Sequence, residues 1–143
     1  MTPTLLGRLQ TRIFVIVVIG GLWTAVVTPV LPGVPSEASL ADIYGITFRL
    51  LAVVLVLGLL WELGYHGVQQ FRWEKDWPAL FGLFTGINEG IVAWFIANLV
   101  IDSVPGSAFV VHFATTWIVT WFWVNGPMRV LSLRWRYRGG RLL

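Results

Sequence analysis

Two glutamates and two histidines, Glu62, His66, Glu89 and His112, lie inside segments whose other residues are overwhelmingly apolar. These side chains can bind and release protons, and as nitrogen and oxygen donors they can hold a metal ion. A charge at the centre of a bilayer costs about 2.5–3.5 kcal/mol on insertion scales, so each of them should face protein or a water-filled cavity with a partner in reach. Glu89 is the central case, because it sits beside Asn88 in the middle of the long apolar run GLFTGINEGIVAW, residues 82–94. It can serve a proton-coupled carrier, which needs a group that binds a proton within the membrane. It can equally be a structural carboxyl sheltered by helix packing.

The other polar residues divide by position. Glu62 and His66 are spaced i, i+4 and so share one helix face. That pair suits an ion pair at the membrane edge, a proton relay or two metal ligands, but it lacks the HExxH arrangement of a helical zinc site. His112 heads a stripe with Thr115, Thr116 and Thr120 on an otherwise aromatic segment. Such a stripe can line a hydrated path, although threonines in helices also bond back to their own carbonyls. Asn88 projects away from Glu89 and is expected to bond a different neighbour. Arg49 either snorkels to the membrane surface or pairs with Asp102 or Glu37. His66 and His112 belong near opposite membrane faces, so one ion cannot bind both. A metal site is confined to Glu62, His66 and Glu89, and the expectation is no metal and no other cofactor, haem included. The chain has no cysteine, which excludes disulfides, thiolate metal sites and cysteine nucleophiles. Nucleophile elbows, phosphate-binding glycine loops and dinucleotide fingerprints are absent from the sequence, and enzymatic activity is not the expectation.

The elements that must position these groups follow from composition. Of 143 residues, 57% are hydrophobic and 12% charged, with mean hydropathy +0.77; soluble domains run at about 45–50% and about 25%. The excess is gathered in four runs long enough to cross a bilayer: 13–31, 45–66, 79–101 and 107–125. The fold class is therefore all-α, a single membrane domain forming an antiparallel four-helix transmembrane bundle, with a basic tail over 126–143. Arg8 and Arg12 precede the first run as in a signal peptide, but the run is longer than a signal core and reads as a true span. Arg72 and Lys75 fall in the connection between spans two and three, and Arg129, Arg134, Arg136, Arg138 and Arg141 follow span four. The other two connections carry no Lys or Arg. By the positive-inside rule both termini are cytoplasmic. Trp73, Trp77, Trp135 and Tyr137 fall at the inner headgroups and Tyr44 near the outer face. The preference for Arg over Lys, with abundant Val, Ala, Gly and Trp, points to the cytoplasmic membrane of a GC-rich bacterium. The net charge of +3 is read as topology rather than nucleic-acid binding. Arg129, Arg134, Arg136 and Arg138 are candidates for anionic lipid headgroups, at about 1 kcal/mol per basic residue.

Span three also carries a ladder. Gly82, Gly86 and Gly90, extended by Ala93 and Ala97, lie along nearly one line of a helix, and such a stripe lets another backbone approach closely, a main source of helix association in lipid. Span one offers a complementary series, Gly20, Thr24 and Thr28, and is the expected partner; a symmetric homo-oligomer is the alternative. In size and span number the chain is similar to small multidrug exporters, but their essential glutamate lies in the first span, which here has no carboxylate, so no family is claimed. Two functions stay open: an accessory or scaffold subunit assembling with itself or a larger membrane complex through small-residue faces, or a small proton-coupled transporter or channel using Glu89 and Glu62.

Overall fold

The computed structural model describes residues 4–71, 78–102 and 104–132. Among these it is all-helical, with four helices long and apolar enough to cross a membrane: α1 (Leu5–Val30), α2 (Leu40–Gln70), α3 (Ala79–Val100) and α4 (Gly106–Asn125). A short α5 (Pro127–Leu131) follows.

Local chemistry sets the ends. Thr4 caps α1, its hydroxyl accepting the Gly7 amide at 3.1 Å, and Ser39 caps α2 in the same way through Asp42 at 3.2 Å, the preferred use of a hydroxyl at a helix start. Pro78 and Pro105 stand immediately before α3 and α4, and Gly126 with Pro127 ends α4. Helix α1 is irregular: Val15–Gly20 widens to a π-helical turn, and Thr28–Val30, with Pro29, tightens to a 3₁₀ turn. Single π turns within α-helices are often found at functional positions.

Inside the bundle, Ile16, Leu50, Leu51, Val54, Ala93, Ala97, Ile101, Val104 and Phe109 form the main apolar cluster. Leu22, Val26, Val56, Leu60, Phe84, Ile87, Ile91, Phe95, Ile118 and Phe122 are exposed on the outside. Apolar residues on both sides of a helix are what a lipid-facing bundle requires, because the bilayer removes the need for a polar outer face.

Helix α1 begins eight residues before the run at 13–31, and it takes Arg8 and Arg12 into the bundle rather than leaving them in a tail. The glycine ladder also meets a partner other than span one. A Cβ on Gly86 would lie 2.3 Å from the Trp117 indole nitrogen, and one on Gly90 would lie 2.7 Å from the Phe113 ring. Gly82 faces Trp121, with a Cβ there at an ordinary 3.8 Å. The ladder of α3 is thus filled by an aromatic ladder on α4, Phe113, Trp117 and Trp121, whose successive members are four residues apart. The indoles add polar contacts, Trp117 Nε1 donating to Leu83 O at 3.1 Å and Trp121 Nε1 to Ala79 O at 2.9 Å. Ala93 and Ala97 are buried in the main cluster. The small residues of α1 go elsewhere: Gly20 lies against Leu51 and Thr116, Thr24 against His112 and Thr28 against Thr47.

A side chain at position 86 would have to displace the Trp117 indole, and overpacking of this kind costs about 1–3 kcal/mol. Gly86→Leu should lower the thermal midpoint of the protein in detergent. Gly67→Leu, where a Cβ would meet nothing within 4 Å, should leave it unchanged.

Candidate functional site

Arg8 and Arg12 stand one turn apart on α1 and reach two carboxylates on two other helices. Arg8 donates through Nη1 to Glu62 Oε2 at 3.1 Å and through Nη2 to Gln69 Oε1 at 2.6 Å, both on α2. Arg12 donates through Nη2 to Glu89 Oε2 on α3. These are the two ion pairs among the described residues. Arg8, Gln69 and Glu89 are all buried, at 4%, 0% and 4% exposure.

Two further residues make room for Arg12. A Cβ on Gly58 of α2 would meet the Arg12 guanidinium, so glycine there leaves it space in the position it takes. On the other side the guanidinium carbon lies 5.0 Å from the Trp117 ring centre, within cation–π range. Trp117 can take that place because Gly86 accommodates its indole. One geometric chain thus runs across the bundle: Gly86 seats Trp117, Trp117 and Gly58 seat Arg12, and Arg12 meets Glu89.

Both ion pairs line a cavity of about 130 Å³. It extends from Pro78, Asn125 and Arg129 at one end of the bundle, past Arg8 and Glu62, to Arg12, Glu89, Trp117 and Thr120. Tyr65, Phe81 and Trp121 complete aromatic walls around the charges. Its charged lining is three arginines, Arg8, Arg12 and Arg129, against two glutamates, Glu62 and Glu89, in a space large enough for several waters.

Of the residues singled out from sequence, Glu62 and Glu89 come together in this cavity, and Arg129 lies at its rim. His66 does not pair with Glu62; its Nε2 is 3.3 Å from Gln70 Nε2, because Arg8 takes the carboxylate. Among the described residues no three His, Asp or Glu side chains are placed to share a metal ion. His112 lies deeper, fully buried, with Nε2 2.9 Å from Thr24 Oγ1. Of its stripe, Thr115 accepts from Trp23 Nε1 at 3.0 Å and Thr120 donates to Trp117 O at 3.0 Å. Arg49 is exposed and its Nε donates to Gly45 O of its own helix at 2.9 Å, in neither of the described ion pairs. Asn88 is exposed on the outer surface of α3 beside Ile87 and Ile91, not turned into the bundle. Arg134, Arg136 and Arg138 lie outside the described residues, as do Arg72, Trp73, Lys75, Trp77, Trp135, Tyr137 and Arg141.

Sequence reasoning missed Arg8 and Arg12 as site residues, since basic residues at the start of an apolar run read first as topology signals. The available clue was their i, i+4 spacing, together with two carboxylates in the other spans that needed cations. Comparison with protein-family models, curated proteins and solved structures gives no match for this chain.

Removing one member of a buried ion pair leaves an uncompensated charge at a cost of about 3–5 kcal/mol, whereas replacing both with apolar groups is often nearly neutral. Arg12→Met or Glu89→Leu alone should therefore destabilise the protein strongly in detergent. The double variant should recover most of the loss, which a thermodynamic cycle on the four proteins measures.

Proposed function

We propose that this chain is a small proton-coupled transporter or channel, with the Arg12–Glu89 and Arg8–Glu62 pairs as the site that handles charge. In this reading it is a multi-pass protein of the bacterial cytoplasmic membrane, its helices antiparallel and both termini inside. The cavity then opens toward the cytoplasm, with Arg129 at its mouth and Glu89 at its inner limit. The observation that carries the reading is that both intramembrane carboxylates line one cavity with their arginine partners. For stability alone, apolar residues of similar volume would serve about as well as buried charges. Charged groups inside membrane spans characteristically mark ion and proton pathways. The cations give each carboxylate an exchangeable partner, so proton binding at Glu89 would release Arg12 and alter the cavity's charge.

A second reading, the accessory subunit that assembles with itself or a larger complex, is favoured by Asn88. An amide exposed at mid-span on a lipid-facing surface is the kind of group that bonds across helices of different chains. The glycine ladder supports this reading less, since rings of the same chain fill it.

In proteoliposomes carrying an internal pH dye, a potassium-diffusion potential should drive proton entry through the parent protein. Glu89→Gln should reduce that rate about tenfold or more; equal rates in the two, or no proton or ion flux in the parent, would remove the transport reading. For the second reading, Asn88→Leu should abolish a cross-linked oligomer seen with the parent in membranes, and an unchanged cross-linking pattern counts against it.

A further inference from the structure

A second, much smaller cavity of about 10 Å³ lies beyond the first and is lined by Ile16, Leu51, Val54, His112, Phe113, Thr116, Trp117 and Thr120. Ile16, Trp117 and Thr120 border both spaces, so the small cavity adjoins the charged one. Its volume is about that needed by one water molecule.

Its polar lining is specific. His112 and Thr116 are 1% and 4% exposed. His112 Nδ1 and Thr116 Oγ1 are both buried with no hydrogen-bond partner among the described residues. Buried polar atoms are nearly always satisfied by protein or ordered water. The imidazole is already oriented by its Nε2 contact with Thr24, which leaves Nδ1 for a partner elsewhere. Thr120 spends its proton on the Trp117 carbonyl and retains oxygen lone pairs. Three side chains, His112, Thr116 and Thr120, thus offer polar atoms around a space of one water, within the two to four partners such waters usually have.

We propose that this space binds one water, held by His112 and Thr116, and that His112 is a proton-accepting station reached from the charged cavity through it. The inference rests on the transport reading and names the proton as the species moved and His112 as its next stop after Glu89. In the uptake step the water gives a proton to His112 Nδ1 and takes one past Thr120 that is relayed through the charged cavity from protonated Glu89, which returns to the carboxylate facing Arg12. The ring becomes an imidazolium, with Nε2–H donated to Thr24 Oγ1. The charged groups nearest this route are Arg12 on α1 and Glu89 on α3, both lining the adjoining cavity; α2 contributes only Leu51 and Val54 to the small cavity. Beyond His112, the buried hydroxyls of Thr24, Thr28 and Thr47 lie toward the opposite end, Thr28 and Thr47 at 3.0 Å from one another.

The test uses the full chain in proteoliposomes and one variant of nearly unchanged shape, Thr116→Val, with His112→Gln as the second. Dye-reported proton entry should fall about tenfold in each. Solid-state NMR of histidine-labelled protein should show magnetisation transfer from water to the His112 ring in the parent, weakened in Thr116→Val; a His66→Gln background leaves His112 as the single histidine. Proton entry that depends on Glu89 but is unchanged by both variants would overturn the proton station and leave the transport reading standing. Absence of water contact at His112 would also overturn it. If the parent carries potassium or chloride in a Glu89-dependent way but no protons, the station is overturned and transport survives. Absence of any flux in the parent overturns both.

Discussion

An ionised side chain carried into hydrocarbon needs a countercharge, and the Arg12–Glu89 pair is where this chain meets that requirement nearest the middle of the bundle. Much of the architecture can be traced from it. To reach Glu89, Arg12 must lie inside the bundle, so α1 starts well before its apolar run and is capped by Thr4. The guanidinium must fit between helices, so α2 has glycine at position 58 where any Cβ would strike it. It rests over an indole on α4, and that indole fits because α3 has glycine at position 86. All four long helices are therefore committed by one contact between two charges.

The same constraint gives the glycines of α3 a different meaning. In lipid, where apolar burial gives little drive between helices, small residues usually let two backbones approach. Here they receive large rings instead. Trp117 fills the space above Gly86, donates its N–H to a carbonyl of the helix it packs on, and presents its π face to Arg12. The ladder thus helps to shape a charged cavity as well as to hold two helices together. The π turn at Val15–Gly20 begins three residues after Arg12 and lies opposite the same region of α4, so the least regular part of α1 adjoins both cavities.

Function depends on what occupies the space left around these charges. Two carboxylates paired with two arginines would be an indirect way to stabilise a bundle, because the desolvation of four ions opposes the attraction between them. Instead of being packed away in a dry contact, both pairs line a cavity that begins at one end of the helices. The aromatic walls keep the surroundings low in polarity, which strengthens each electrostatic contact. His112 and its threonines extend the polar interior past the point where the large cavity ends.

Residue types and their runs were enough to determine that the chain is helical with four candidate membrane spans, because the length and apolarity needed to cross a bilayer are local properties. The ends of α3 and α4 were legible for the same reason, through Pro78 and the Gly126–Pro127 stop. That Glu62 and Glu89 need partners inside the bundle also followed from local cost, and each is in an ion pair there. What each of them meets was not legible. Arg8 and Arg12 resembled flanking topology signals, and Glu62 resembled the partner of His66, because spacing along one helix says nothing of a cation on another. The partner of the glycine ladder was hidden likewise, as a hole on a helix surface can be filled by a small backbone or a large ring. Those choices belong to the tertiary structure, where buried charges and unfilled volume can be satisfied only by groups that the packing of separate helices brings together.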